Sequence, residues 1–268
     1  MAHIYALANQ KGGVGKTTTA ASLGGYLAEM GQRVLLIDLD PQANLTSCLG
    51  VDKVKADPSI YDALIGDLPL AEVILRSARL KLWLVPSAPP LAGAEVELVG
   101  LNAREMRLRQ ALAPVTERYD YILIDCPPSL GLLTINGLAA ASGVIIPVQC
   151  EYLALEGLTQ LMQTLNLVRR RLNPQLSIRG MLMTMYDART NLSQQVVNQV
   201  KQHYPGLVFH TIIPRSIRLS EAPSYGLPIN LYAPRTPAGN AYRALAEELT
   251  AGDGVQWPFA RLKGEALV

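Results

Sequence analysis

Between an apolar run, His3-Ile-Tyr-Ala-Leu-Ala8, and an amphipathic helical pattern, the chain reads Lys11-Gly-Gly-Val-Gly-Lys-Thr-Thr18. The order strand, glycine-rich loop, helix is continued by Leu23, Leu27 and Met30 at i, i+4, i+7 and closed by Gly31. Gly12, Gly13 and Gly15 lack a Cβ, so the loop can turn its amides inward and approach an anion closely. The N-terminal amides and the positive dipole end of the following helix add to the same site. Lys16 is spaced to reach the β and γ phosphates of a nucleoside triphosphate, and the Thr17 hydroxyl to ligate Mg²⁺. A glycine-rich turn that binds nothing needs neither the two lysines nor the Gly-Lys-Thr order.

Such a loop belongs at the carboxyl edge of a parallel sheet, where ligands bind in open α/β folds. Apolar runs recur at Arg33–Asp38, Trp83–Val85, Tyr121–Asp125, Gly143–Val148, Ile178–Met183 and Val208–Ile213, with helical stretches such as 153–172 between them. A hydrophobic content of 49% is ample for a sheet buried on both sides. The expectation is an α/β, single-domain P-loop NTPase fold: a mostly parallel twisted sheet with helices on both faces. The ATPase domain is expected over residues 1–254, with 255–268 as a C-terminal tail. Ser87 to Pro90 reads as a loop rather than a domain boundary. Two of the runs lead into carboxylates: Asp38 and Asp40 with the run from Arg33, Asp125 at the end of the run from Tyr121. An aspartate in front of Pro41 either orients water beside the phosphates or caps the turn.

The position five residues before Gly15, usually glycine in P-loops, is Gln10, and an extra lysine, Lys11, follows it. With this the sequence resembles the deviant Walker A ATPases, a family that includes ParA/Soj partition proteins, MinD-type division-site proteins, the nitrogenase iron protein and amidotransferase-like synthetases. The resemblance implies that Lys11 to Thr18, Val14 included, cradle ATP, and that Lys11 crosses a dimer interface to the partner's nucleotide. Read from spacing alone, a solvated loop lysine is the lesser alternative for Lys11. A second cation at the phosphates would act as an arginine finger does elsewhere. The resemblance further implies that Asp40 of Asp38-Leu-Asp-Pro-Gln42 positions the attacking water, that Asp38 lies nearer the metal, and that Asp125 of Asp125-Cys-Pro-Pro-Ser129 acts on Mg²⁺ through a water. A metal beside a strand-end aspartate offsets the cost of burying it.

The stretches Met181 to Ser193 and Ile212 to Pro228 resemble the ParA/Soj branch, so the likeness covers most of the chain. In that branch residues matching Thr184, Pro214 and Ser216 lie near the base, and arginines matching Arg189 and Arg218 contribute to non-specific DNA binding by an ATP-state homodimer. A ParB-type centromere-binding protein then stimulates hydrolysis. Net charge is only +2, from 24 basic and 22 acidic residues, so DNA affinity has to come from a local patch. Arg169, Arg170 and Arg171 either join that patch or serve as solvated helix-end charges, the second being the better reading.

A MinD-like membrane switch is the alternative, but the tail Val255 to Val268 is broken by Pro258 and Gly264 and has few basic residues for an interfacial helix. An amidotransferase-type synthetase would call for a glutaminase nucleophile motif, which the sequence lacks. No run is long enough for a membrane span, and the chain opens on its first strand, so a cytoplasmic, nucleoid-associated protein without a membrane partner is expected. Cys48, Cys126 and Cys150 have no paired spacing that suggests a disulfide or zinc site.

Overall fold

Alternate residues of the central strands belong to two different hydrophobic cores. In β1 (His3–Leu7), Tyr5 and Leu7 pack in one and Ala6 in the other; in β2 (Val34–Asp38), Val34 and Leu36 oppose Leu35 and Ile37. This is the period-two geometry of a strand covered on both faces. The computed structural model describes residues 2–152 and 154–252. The remaining strands are β3 (Leu75–Ser77), β4 (Leu82–Val85), β5 (Tyr121–Asp125), β6 (Gly143–Gln149), β7 (Ser177–Tyr186) and β8 (Val208–Pro214). They form one sheet in the order β3-β4-β2-β5-β1-β6-β7-β8, parallel throughout except for the edge pair β3–β4.

One face is covered by the helices Lys16–Glu29 and Pro237–Ala251, through Leu23, Tyr26 and Leu27 of the first and Tyr242, Leu245 and Leu249 of the second. The other face carries Leu91–Leu98, Arg107–Leu112, Leu132–Ala140, Ala154–Arg171 and Asn191–His203. From β1 the chain runs outward to β2 and β4; from β5 it returns past β1 to β6, β7 and β8. The loops after β1 and β5 therefore diverge from neighbouring strands at the middle of the carboxyl edge, the topological switch where such sheets bind ligands.

The expected strands and helices are present with shifts of a residue or two at their ends, except that β7 extends from Ser177 through Tyr186. β3 was not expected: three residues, two of them exposed, carry no alternation to detect. Met30 is 43% exposed beyond the end of its helix, and Tyr26 takes the buried place assigned to it. The tail from 255, expected to be broken by Pro258 and Gly264, lies outside the described residues. Among the described residues no helix is long and apolar enough to cross a membrane.

Gly137 brings the helix Leu132–Ala140 down onto the end of β5. A Cβ there would lie 2.8 Å from the Cys126 sulfur and 3.4 Å from Ile124 and Leu39 side-chain atoms. Gly137→Ala is expected to overpack this contact and lower unfolding free energy by about 1–3 kcal/mol. Urea denaturation of the two proteins measures the difference, and an unchanged midpoint would show that the helix can move away freely.

Candidate active site

β1 ends against β5 and β6, and Asn9 anchors the loop that leaves it. The Asn9 side-chain amide donates to the Pro147 carbonyl at 2.7 Å, and its oxygen accepts from the Lys11 amide at 3.0 Å. Gly13 (φ 74°) and Gly15 (φ 91°) take left-handed backbone conformations that other residues resist. Gly12 does not, and a Cβ on it would meet only ordinary contact, 3.9 Å from Pro128. Two of the three glycines are thus conformational requirements. Gly15 caps the helix Lys16–Glu29 with no side chain on the first-turn amides, which leaves those donors to an anion. The Thr184 hydroxyl donates to the Val14 carbonyl at 2.8 Å, so a residue expected near the base also braces the phosphate loop from β7.

Lys16 is 6% exposed at the sheet edge. Burial lowers its pKa, while Asp125, Cys126 and Asp40 oppose that shift. The Thr17 hydroxyl donates to Asp125 Oδ2 at 2.7 Å. Asp125 is fully buried and its Oδ1 has no partner. Burial and then the Asp38 charge raise its pKa, with Thr17 and Lys16 acting the other way. An orphaned carboxylate oxygen beside a threonine hydroxyl fits a hydrated divalent cation. Thr17 and Asp125 would hold Mg²⁺, which when bound neutralises charge on the phosphates.

Asp38 pairs in register with Asp125 across β2 and β5. Its Oδ2 accepts from the Thr46 amide and hydroxyl, both at 2.7 Å, and its Oδ1 from the Asp40 amide at 3.2 Å. Burial raises its pKa to about 6 against these hydrogen bonds. Its oxygens are thus engaged in shaping the 40–46 loop. Asp40, 7% exposed, caps its own turn by accepting from the Gln42 amide on Oδ1 at 2.9 Å. Oδ2 makes no hydrogen bond to the described residues, so the turn role leaves one oxygen for water.

Lys11 lies within the chain's own charge network. Its ammonium is 3.3 Å from Glu151 Oε2, and Glu151 Oε1 accepts from Gln149 at 2.6 Å and faces the Arg215 guanidinium at 3.5 Å. Glu151 was not among the expected site residues, although it stands two residues beyond β6 as Asp40 stands two beyond β2. Pro214 ends β8 opposite Tyr186 of β7, and Ser216 precedes the short helix Ile217–Glu221. Arg189 and Arg218 follow β7 and β8, so both emerge at the carboxyl edge. Each is exposed and paired, Arg189 with Asp187 at 2.7 Å and Arg218 with Glu221 at 2.8 Å. Arg169, Arg170 and Arg171 occupy the last turn of Ala154–Arg171, where positive charge complements the helix dipole. That crossover helix runs back against the parallel strands, so its end lies at the opposite edge. Burial pushes the Cys48 and Cys150 thiols up to about 12, and all three cysteines are free thiols.

The family described as an AAA domain matches residues 2–178. The chain is 53% identical over 251 residues to the sporulation initiation inhibitor protein Soj of Bacillus subtilis, covering 94% of this chain and 99% of that protein. It is 50% identical to the chromosome partitioning protein ParA of Myxococcus xanthus, with 97% and 92% covered. A crystal structure described as cobyrinic acid a,c-diamide synthase from Mycobacterium smegmatis, with ADP and magnesium bound, superposes with a TM-score of 0.82 at 42% identity, covering 92% of this chain and 93% of that one.

Lys16 is the buried cation of this edge. Lys16→Ala is expected to weaken Mg-ATP binding roughly 30-fold or more, the loss that follows removal of one partner of a buried charge pair. Isothermal titration with ATP, alongside circular dichroism to check folding, gives the comparison; parental affinity would count against the phosphate-loop assignment.

Proposed function

The chain belongs to the ParA/Soj family of chromosome-partitioning ATPases, and from that premise we propose that it works as an ATP-dependent switch for DNA segregation. As an ATPase of this family it converts ATP and water to ADP and phosphate. In the proposed cycle, residues 11–18 cradle the phosphates, and the base sits towards Thr184, Pro214 and Ser216. Two chains close face to face, each extending Lys11 towards the other's nucleotide. The ATP-state homodimer binds DNA through Arg189 and Arg218 without reading sequence, since contacts to phosphates carry none. A ParB-type centromere-binding partner stimulates hydrolysis, which resets the switch. A cytoplasmic, nucleoid-associated location follows from that DNA contact, and the working domain is residues 1–254.

The observation that carries this reading is the sharing of one edge. Lys16, Thr17, Asp40 and Asp125 gather at the carboxyl ends of the central strands, and Arg189 and Arg218 follow β7 and β8 at that same edge. Dimer closure would double the cationic surface there and steepen the salt dependence of DNA binding through counterion release. The pairs Arg189–Asp187 and Arg218–Glu221 support the reading, because solvent screens exposed ion pairs and a phosphate can take the carboxylate's place. Asp40 lies close enough for its charge to act on Lys16 and keeps an oxygen for the attacking water, which suits a reaction governed by positioning and electrostatics.

Asp40→Ala is expected to bind ATP with parental affinity and to stall hydrolysis, read by phosphate release; hydrolysis at the parental rate would remove Asp40 from the reaction. With the ATP state held by that variant, retention on a non-specific DNA duplex should require ATP and fall as salt rises. Adding Arg189→Glu should leave the dimer mass unchanged while lowering the slope of log affinity against log salt by about 2, one contact per subunit. An unchanged slope would take Arg189 out of the DNA surface.

A further inference from the structure

We propose that Ser87 is a positioning residue for hydrolysis: a clasp from the end of β4 that sets where Asp40 stands. The inference rests on the proposed role of Asp40 and adds a residue outside the motifs that carry the family resemblance. Ser87 follows Val85 and Pro86, lies at 0% exposure and makes two hydrogen bonds to the segment after β2, one to its loop and one to the short helix Asn44–Cys48. Its hydroxyl donates to the Asp40 carbonyl at 2.8 Å, and its amide donates to the Thr46 hydroxyl at 2.9 Å. The same Thr46 hydroxyl donates to Asp38 Oδ2 at 2.7 Å. Asp38 in turn accepts the Asp40 amide. The backbone of Asp40 is thereby held on both sides, its N–H by β2 and its C=O by β4.

The hold matters because Asp40 stands in a strained turn whose other hydrogen bonds are all local, to Asp38, Gln42 and Ala43. Asp40 is two residues beyond β2, its carbonyl also accepts the Ala43 amide at 2.9 Å, and Ala43 takes a left-handed φ of 54° that alanine disfavours. A side chain that orients water has to be held by a shell whose own rotamers are locked, and Ser87 with Thr46 is that shell here. Both are fully buried, so no solvent molecule competes for these hydrogen bonds. Without the Ser87 hydroxyl the Asp40 carbonyl loses its tie to β4, and the carboxylate can drift from the phosphate loop. Nothing in this arrangement touches the nucleotide-binding amides of residues 12–16, so ATP affinity and hydrolysis are separable.

The test uses the full-length chain with Ser87→Ala and Ser87→Cys, the second keeping a weak donor on Cβ should the first fail to fold. Single-turnover phosphate release and ATP titration are measured for both, for Asp40→Ala, and for the double variant. The inference expects kcat to fall about 10- to 100-fold with Ser87→Ala, a loss of the size that small misplacements produce. It expects less loss with Ser87→Cys, ATP Kd within about twofold of parental in all, and no further loss when Ser87→Ala is added to Asp40→Ala. A parental rate in the Ser87 variants while Asp40→Ala stalls would overturn the inference and leave the role of Asp40 standing. Equal losses in affinity and rate, or full additivity in the double variant, would make Ser87 a structural residue only. Parental hydrolysis by Asp40→Ala would bring down the Asp40 reading itself, and the inference with it.

Discussion

Two carboxylates, Asp38 and Asp125, lie fully buried in register on adjacent strands, and the rest of the site is arranged around that cost. Burial raises the pKa of both, and the Asp38 charge raises that of Asp125 further. An uncompensated charge in such a place would be neutralised or would not fold, so each carboxylate recruits its own donors. Asp38 takes the Thr46 amide and hydroxyl and the Asp40 amide, which folds the chain after β2 back over the strand ends. Asp125 takes the Thr17 hydroxyl and the field of Lys16, which draws the first turn of the phosphate-loop helix against β5. The unpaired Asp125 Oδ1 is the remaining deficit, and a hydrated cation at Thr17 would answer it. The site's polarity is thus a consequence of where the strands end.

The two faces of the sheet divide the labour around this edge. The phosphate-loop helix lies on one face, packed against the helix Pro237–Ala251, with Thr19 and Tyr242 sharing a buried hydrogen bond at 3.1 Å. The helix after β5 lies on the other, brought close by Gly137. A change at the phosphates can therefore reach both layers through backbone loops that start from neighbouring strands. Glu151 adds an electrostatic tie across the edge, from Lys11 of the phosphate loop to Arg215 beyond β8. Both partners of Lys11–Glu151 are well solvated, so the tie is weak enough to exchange for a nucleotide phosphate.

Much of this was legible along the chain. The loop at 11–18 announced itself because glycines, lysines and a threonine at fixed spacing serve one chemistry, and Lys16, Thr17 and Asp125 lie together at one edge of the sheet. The parallel sheet was legible because strands covered on both faces read as unbroken apolar runs. β3 escaped notice because an exposed edge strand of three residues buries nothing. Asn9, Thr46, Ser87 and Glu151 escaped for another reason: each is an ordinary polar residue outside those motifs, and it makes a contact with a residue far away in sequence, as Ser87 with Asp40 and Thr46 or Asn9 with Pro147.

The sequence by itself determined the fold class, the triphosphate chemistry and the strand ends from which Asp38, Asp40 and Asp125 emerge, since local spacing and apolar periodicity are sufficient to specify them. The tertiary structure alone decided which of these carboxylates is occupied and which is open. Asp38 turned out to be fully hydrogen-bonded, Asp40 half so, and Asp125 left with one bare oxygen. Separation along the chain does not encode separation across a sheet, where β2, β4 and β5 lie side by side although more than eighty residues divide the first from the last. Hydrogen bonds that span such distances exist only once burial of both sheet faces has brought the strand ends together.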